Sequence, residues 1–240
     1  MIPSLILAST SPRRRELLAL TGLDFEVKPA AIDESPVAGE PPAEYVVRLA
    51  VSKARWAARF AGRRGQRILA ADTIVADGLK LLGKPSDFRQ AVAMLEQLRG
   101  HVHQVYTAIA LLEPASDTLL TDLCASQVPM RSYSTSEIES YAASGDALDK
   151  AGAYAIQHAG FHPVEEFAGC FANVMGLPLC HLVRTFQRAD LSPPVEDPAA
   201  LVGVEDPAAL VGINVPQACQ AYLVYRCPVF QSVLNGENVG

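Results

Sequence analysis

The chain has 240 residues, of which 50% are hydrophobic and 19% are charged, as in ordinary water-soluble globular proteins of one or two domains. Arg, Asp, Gly or Pro interrupts every apolar stretch before it could span a bilayer, so no membrane partner is expected. The formal net charge is -6, and residues 190–240 hold six acidic residues against one arginine, which leaves residues 1–189 nearly neutral. A nearly neutral body without a broad basic face argues against a nucleic-acid partner bound through many phosphates.

Five cysteines are scattered along the chain, and none belongs to a Cys-x-x-Cys pair. Their spacing and odd number predict neither a zinc site nor a disulfide framework. Residues 1–3 lead into a strand pattern without a charged or cleavable apolar leader, so secretion is not expected. We therefore expect a cytoplasmic protein whose cysteines are small packing residues: Cys124, Cys170, Cys180, Cys219 and Cys227.

The first elements in chain order are a strand at 5–7, a hydroxyl-rich loop and a helix that begins at Pro12 and stops near Gly22. Ser11 suits the N-cap and Pro12 the first helical position. Free N–H groups at such a helix start attract anions, yet three arginines, residues 13–15, stand in this first turn, where the helix dipole disfavours cations. The run indicates either a solvated basic turn or a site that a phosphate chain completes.

The following segments alternate between strand and helix patterns, which predicts an α/β architecture with a mixed, partly antiparallel sheet. Helices are predicted at about 42–61, 87–98, from a capping box at Ser134 and Glu137 to about 145, and at 178–187. Strands are predicted at 25–27, at 68–71 with its end at Asp72, at 103–112, and at about 125–131.

The composition changes after Asp190. Residues 195–203 are repeated without change as 204–212, and two copies rich in Pro, Gly and acid predict a flexible linker rather than a solenoid. Residues 221–225 and 229–230 suggest a short strand. We predict one domain over 1–189 and an acidic extension over 190–240, to which we assign no chemistry.

Two charged residues occupy positions that packing alone explains poorly. Lys53 lies on the apolar stripe of its helix, three and four positions after Ala50 and Leu49, so it either extends past the edge or faces an anion. Asp72 ends an apolar strand, where α/β proteins often bind ligands, although a loop-capping role is equally ordinary.

Further charges lie in two loops. Asp33 and Glu34 supply carboxylates that are either solvated or metal-bound, and Lys84 follows Gly83, which permits close approach of a ligand. Gly83-Lys84 lacks the spaced glycines of a Walker motif. Taken together, the arginines, two lysines and two carboxylate sources are the groups that a metal-bound phosphate chain requires.

Four blocks of the chain resemble, in order and spacing, the signature blocks of the Maf family. They are LASTSPRR at 7–14, ADT at 71–73, LGKP at 82–85 and DKAGAYAIQ at 149–157, and GLPL at 176–179 matches the closing motif. The resemblance covers about residues 3–188. It implies a nucleoside triphosphate pyrophosphatase, related in structure to the inosine triphosphatases, with an elongated α/β fold, a central mixed sheet, two lobes and a cleft. It also implies a homodimer.

The resemblance further implies roles for individual residues. Asp72 matches the proton acceptor, and with Glu34 it would hold a divalent cation, Mg²⁺ or Mn²⁺. The residues that would bind the phosphates are Ser9, Arg13, Arg14, Lys53 and Lys84. The residues that correspond to the dTTP/UTP subgroup, rather than to the 7-methyl-GTP subgroup, are Arg13, Thr73 and Gln157.

These residues and the divalent cation are consistent with attack of water on the α-phosphorus. Asp72 would orient or deprotonate that water, directly or through the metal. The alternatives are a pyrophosphatase for 7-methyl-GTP or modified nucleotides, and a non-hydrolysing, nucleotide-responsive protein that inhibits septum formation. A departure from the family lies at 158–168, where a glycine-rich turn is usual. A solvated polar turn is the favoured interpretation there and a second metal site the other, with four candidate ligands: His158, His162, Glu165 and Glu166.

Overall fold

The computed structural model describes residues 5–62, 65–191 and 215–237, so the tandem repeat at 195–212 lies outside the described residues. Six strands form one sheet: β1 (Leu5–Leu7), β2 (Phe25–Val27), β3 (Arg67–Asp77), β4 (Lys80–Leu82), β5 (Val102–Glu113) and β6 (Thr118–Pro129). The order is β2-β1-β3-β5-β6, and β4 pairs with β3. β1 is parallel to β2 and β3, whereas the other pairs are antiparallel. The predicted mixed α/β sheet is confirmed.

The helices within the described residues are α1 (Pro12–Ala19), α2 (Pro42–Ala58), α3 (Phe88–Leu98), α4 (Thr135–Ala143), α5 (Phe171–Met175), α6 (Leu179–Arg188), α7 (Val215–Leu223) and α8 (Phe230–Leu234). Two predicted helix starts are confirmed by their caps. Ser11 accepts a hydrogen bond from the Arg14 N–H at 3.4 Å, with Pro12 in the first turn. Ser134 and Glu137 form the reciprocal capping box of α4.

The three central strands bury both of their faces because alternate residues point to opposite sides of a sheet. One face packs against α1, α5, α6 and α7 through six buried strand residues: Leu5, Leu7, Leu69, Ala71, Ile109 and Leu111. The other packs against α2 through Ile6, Ile68, Ala70, Ala108, Ala110 and Leu112. A further hydrophobic cluster joins the far halves of β3, β5 and β6 to α3 and α4. In the described part of the chain, no helix is both long and apolar enough to cross a membrane.

The predicted end of β3 at Asp72 is wrong. The strand continues to Asp77 because the β-prone run after Asp72 stays in register with β5, from Ile68 opposite Leu112 to Ala76 opposite Gln104. A polar residue within the strand does not stop it when every backbone group on one side is paired. Asp72 therefore lies in the middle of a long strand.

The other edge of β3 is paired only at its two ends. β1 pairs with β3 as far as Leu69, and β4 pairs with it from Val75 onward. Among the described residues no strand pairs with the edge between them, residues 70–74, which we call the β3 gap. Asp72 and Thr73 lie in this gap, and the candidate site is located there.

The strand suggested for 221–225 and 229–230 is also wrong, since helices α7 and α8 occupy this region. Val215, Ala218 and Cys219 follow the three-to-four residue spacing of a helix and are buried in the same cluster as α6. The tail thus packs its apolar stripe on the body, and burial of that stripe outweighs the β-propensity of residues 222–225.

All five cysteines are buried free thiols, which confirms the expectation that they pack the interior. Four of them line one small apolar cavity between α5, α6 and α7: Cys170, Cys180, Cys219 and Cys227. Burial raises the pKa of the Cys180 thiol to about 12. The thiol therefore stays protonated and behaves as a small hydrophobic group.

Candidate active site

The centre of the site is an ammonium group shared by two carboxylates. Lys53 Nζ lies 2.8 Å from Asp72 Oδ2 and 2.7 Å from Glu34 Oε1, and 12% of the lysine side chain is exposed. Lys53 therefore follows the second interpretation of its position on the stripe of α2 and faces anionic groups. It joins three separate elements: α2, the loop after β2 and the middle of β3.

The loop that carries Glu34 is held in place by a residue of α2. The hydroxyl of Tyr45 donates to the backbone carbonyl of Glu34 at 2.6 Å. Burial raises the pKa of Tyr45, and the nearby Asp72 and Glu34 carboxylates raise it further, so the hydroxyl remains a donor. Asp33, by contrast, accepts the Ser35 N–H at 2.9 Å, which is a local loop contact. The Glu34 side chain alone enters the site, and it is 56% exposed.

Arg14 closes the opposite side of the β3 gap. Its Nε donates to the carbonyl of Gly176 at 2.8 Å, its Nη2 to Thr73 Oγ1 at 2.9 Å and its Nη1 to Ser9 Oγ at 3.4 Å. Nη2 also lies 4.0 Å from Asp72 Oδ1. Burial lowers the pKa of the Arg14 guanidinium, and the Asp72 carboxylate opposes that shift. An arginine that starts above 12 stays charged, so the site holds a fixed cation.

Ser9 is buried and ties the first loop to the helix that follows it. Its Oγ accepts the Ser11 N–H at 3.2 Å as well as the weaker bond from Arg14. Ser9 and Ser11 thus organise the start of α1, where the free N–H groups of the first turn attract anions. This geometry favours binding of an anion in the first loop.

Arg13 adds charge to the site without a partner of its own. It is partly exposed, it makes no hydrogen bond or ion pair with any described residue, and its charge further lowers the pKa of Arg14. The site and its immediate surroundings therefore hold three cations, Arg13, Arg14 and Lys53, against two carboxylates, Glu34 and Asp72. The local surplus of positive charge would be neutralised by a bound anion.

Lys84 and Gln157 are exposed, and the structure does not join either side chain to this cluster through any contact between described residues. Their loops, however, are tied together. The Gly152 N–H donates to the Gly83 carbonyl at 3.1 Å. Gly152 has a φ of +71°, and a Cβ there would lie 3.0 Å from Val75 Cγ1, so only glycine fits this contact with the end of β3. The roles assigned to Lys84 and Gln157 remain predictions.

Three residues in contact with the site have no role in the sequence prediction: Thr107, Asn173 and Gly176. Gly176 belongs to the GLPL block, and its φ of +109° together with its closeness to Arg14 explains why a glycine stands there. The sequence does not single out Thr107, because this residue lies inside a β-prone run. It does not single out Asn173 either, because α5 is short. Their contacts with the site depend on the folded sheet.

Across the described residues, no group of three or more His, Cys, Asp and Glu side chains could hold a metal ion. In the loop at 158–166, His158 Nδ1 accepts the Phe161 N–H at 2.9 Å and its ring packs on Tyr141. Glu34 and Asp72 remain a fitting pair for a divalent cation, because two hard carboxylate donors that already share one ammonium can share a cation with phosphate oxygens.

A mixed α/β sheet that gathers arginine, lysine and carboxylate groups at a gap beside its central strand is typical of proteins that bind phosphorylated ligands and activate water beside them. The family described as Maf-like protein matches residues 4–189. The chain belongs to the Maf family. The predicted resemblance is confirmed.

Curated relatives resemble the chain over most of its length. A dTTP/UTP pyrophosphatase of Anaeromyxobacter dehalogenans is 45% identical over 200 residues, which is 82% of this chain and 100% of that protein. A dTTP/UTP pyrophosphatase of Myxococcus xanthus is 48% identical over 190 residues, covering 79% and 94%. The Staphylococcus aureus Ham1 protein is 13% identical over 54% of this chain and 72% of that one, with a TM-score of 0.39, a likeness too low to support an argument.

Proposed function

We propose that the chain is a nucleoside triphosphate pyrophosphatase that hydrolyses dTTP and UTP to the monophosphate and pyrophosphate. Membership of the Maf family supports this proposal, as do relatives named dTTP/UTP pyrophosphatase at 42–48% identity. The observation that carries it is the placement of Asp72, a buried carboxylate in the β3 gap between Lys53 and Arg14.

Asp72 is the group that accepts a proton. Its Oδ1 accepts the Thr73 N–H at 2.8 Å and its Oδ2 accepts from Lys53 at 2.8 Å, so both oxygens are oriented. A water molecule that attacks the α-phosphorus gives its proton to this carboxylate, the bond to the bridging oxygen breaks, and pyrophosphate leaves. Arginine and lysine side chains offset the charge that develops on the leaving oxygens.

A divalent cation, Mg²⁺ or Mn²⁺, fits this proposal, and Glu34 and Asp72 would hold it together with phosphate oxygens. When bound, it supplies neutralisation of phosphate charge. The exposure of the Glu34 side chain leaves it free to contact such a ligand. Lys53 then gains phosphate oxygens as competing partners for its ammonium group.

We assign the preference for dTTP and UTP to Arg13, Thr73 and Gln157. The amide of Gln157 can both donate and accept a hydrogen bond, which suits the carbonyl oxygens and the N3–H of a pyrimidine. Its exposed side chain is available for this contact. The same proposal includes phosphate binding by Lys84, a cytoplasmic location and a homodimer. Its biological role is cleansing of the nucleotide pool or arrest of division.

The test is product analysis of the purified chain with Mg²⁺ and a panel of dTTP, UTP, CTP and 7-methyl-GTP. We expect pyrophosphate with dTMP or UMP. Preferred cleavage of 7-methyl-GTP would overturn the assigned substrate and keep the reaction. Binding without turnover of any triphosphate would overturn the reaction and favour a nucleotide-responsive binding protein.

A further inference from the structure

A chain of buried hydrogen bonds leads from the site into the core. Arg14 Nη2 donates to Thr73 Oγ1 at 2.9 Å, Thr73 Oγ1 lies 2.9 Å from Thr107 Oγ1, and Thr107 Oγ1 donates to the backbone carbonyl of Asn173 at 2.9 Å. Thr107 and Asn173 are completely buried. We call these four residues the threonine relay.

The chemistry of the two ends fixes the direction of every hydrogen in the relay. A guanidinium can only donate and a carbonyl can only accept. Thr107 spends its one hydrogen on the Asn173 carbonyl, so Thr73 must donate to Thr107. Thr73 thus accepts from Arg14 and donates away from the site. Its hydroxyl has one lone pair left and no hydrogen to offer a ligand.

The far end of the relay is anchored to the sheet. The Asn173 side-chain amide donates to the Val105 carbonyl at 3.0 Å and to Ser126 Oγ at 2.9 Å, which joins the middle of α5 to β5 and β6. The acceptor that receives the Thr107 hydrogen therefore does not move independently of the strands. Rigid support of this kind is what holds a binding group in its working geometry.

The near end of the relay is closed by Gly176. Its carbonyl accepts from Arg14 Nε, and a Cβ at this position would lie 3.2 Å from both Arg14 Nε and Thr73 Oγ1. The guanidinium is therefore held by three groups, one on each nitrogen: Gly176, Thr73 and, more weakly, Ser9. One of these groups, Thr73, is oriented only through Thr107.

We propose that Thr107 is a positioning residue, which acts through Thr73 to fix the Arg14 guanidinium and to leave Thr73 as a pure hydrogen-bond acceptor toward the nucleotide. This inference rests on the proposed function. Without the Thr107 hydroxyl, the Thr73 hydrogen is free to turn toward the ligand, and the acceptor that Arg14 requires is no longer held. Both phosphate binding and the choice among nucleotides then change.

A pair of substitutions at the same position separates the hydroxyl from packing. Thr107→Val keeps the shape and removes the hydroxyl, whereas Thr107→Ser keeps the hydroxyl and removes a methyl group. We expect Thr107→Val to lower kcat/KM for dTTP about tenfold and to change the ratio of dTTP to CTP hydrolysis. Thr107→Ser should retain both values near those of the wild type. Thermal unfolding of both variants checks that the fold is intact.

A double-mutant cycle tests whether Thr107 acts through Thr73. In a Thr73→Val background the relay is already broken. Adding Thr107→Val to that background should therefore lower kcat/KM by less than about a further twofold. Independent, additive losses would overturn the proposal, because they would show that Thr107 contributes only to packing. Loss in Thr107→Ser equal to that in Thr107→Val would overturn it for the same reason.

A binding measurement distinguishes failure of this inference from failure of the proposed function. Calorimetry with a dTTP analogue that carries a non-hydrolysable α,β-imido bridge needs no turnover. We expect Thr107→Val, and not Thr107→Ser, to weaken that binding about tenfold. If the wild type does not hydrolyse dTTP but only Thr107→Val weakens binding of the analogue, the relay is supported and the proposed hydrolase function is overturned. Equal affinities of both variants and the wild type would reject the relay.

Discussion

Two clusters of carboxylates and cations lie on this sheet, and they differ in what they leave unsatisfied. The active-site cluster consists of Arg14, Glu34, Lys53 and Asp72. The sealed cluster consists of Asp122, His181, Arg184 and Thr185. Both contain a buried aspartate on a long strand and a basic group from a neighbouring helix. Composition alone does not separate a site from a structural device.

In the sealed cluster, every oxygen of Asp122 is used. Its Oδ1 accepts from Arg184 Nη2 at 2.6 Å, from the Leu123 N–H at 2.9 Å and from His181 Nδ1 at 3.0 Å. Its Oδ2 accepts from Arg184 Nε at 2.9 Å and lies 3.3 Å from Thr185 Oγ1. The remaining Arg184 nitrogen donates to the Glu237 carbonyl at 2.9 Å, which ties the region after α8 to α6. This cluster joins elements and leaves Asp122 no oxygen for a ligand.

Exposure marks the same difference. The Asp122 side chain is 5% exposed, whereas the Glu34 side chain is 56% exposed. The active-site cluster also stands beside Arg13, a cation without a partner among the described residues. A carboxylate among cations therefore indicates function when charge and hydrogen-bonding capacity remain available, and it indicates structural stabilisation when they do not.

The largest effect is expected for Asp72→Asn, which keeps the shape of the side chain and removes the proton acceptor. We expect kcat for dTTP to fall roughly 10³-fold, because general-base catalysis commonly contributes a factor of this order. The loss in free energy of unfolding should be smaller than for a change at Asp122, since Lys53 keeps Glu34 as its partner. Steady-state kinetics and urea unfolding measure the two quantities. Turnover near the wild-type rate would remove Asp72 from its proposed role.

The matched substitution in the sealed cluster, Asp122→Asn, should have the opposite profile. Breaking a buried pair leaves Arg184 largely buried without its counter-ion, which costs about 3 kcal/mol of folding free energy. Activity per folded molecule should stay close to that of the wild type, because among the described residues the cluster makes no hydrogen bond or ion pair with a residue of the proposed site. Urea unfolding beside the kinetic assay tests this. Loss of kcat without loss of stability would contradict the distinction between the clusters.

The pH dependence of stability sharpens the comparison further. Burial alone would raise the pKa of Asp122, but the hydrogen bonds from His181 and Arg184 outweigh it and hold the pKa well below the ordinary range. The folded state therefore binds this proton less readily than the unfolded state does. The stabilisation is fully present above about pH 4 and is lost as the pH falls toward the lowered pKa.

This dependence gives an expected result for two proteins measured in parallel. The difference in unfolding free energy between the wild type and Asp122→Asn should be constant from pH 7 to about pH 5 and should shrink steadily below about pH 4. Urea unfolding at a series of pH values measures it. A difference that stays constant down to pH 3 would show that Asp122 does not have a lowered pKa.

The local elements could be predicted from the sequence, because their signals are local. Ser11 and Pro12 mark the start of α1, and Ser134 with Glu137 marks that of α4, as the structure bears out. Lys53 stood out because a lysine on an apolar stripe requires an explanation. In each case the evidence lies within one turn of the helix.

Contacts between distant segments could not be predicted in this way. Asp122 and His181 are 59 residues apart, and within its own segment each is an ordinary polar residue. The continuation of β3 past Asp72 depends on the ladder with β5, and the role of Thr107 depends on the side of that ladder it faces. These features follow from register and packing, which no short window of sequence contains.

The smallest effect is expected for Arg184→Lys, which keeps the charge and removes the planar fork. Two nitrogens of Arg184 bind the two oxygens of Asp122, and a lysine can satisfy only one at a time, so we expect a loss of about 1 kcal/mol. Arg188→Lys on the same helix is the control, because Arg188 is exposed and donates to the Thr121 carbonyl at 3.1 Å. Thermal unfolding compares the pair. Equal shifts in Tm for the two variants would show that the charge of Arg184, and not its paired geometry, provides the stabilisation. The sealed cluster would then differ from the active-site cluster by burial alone.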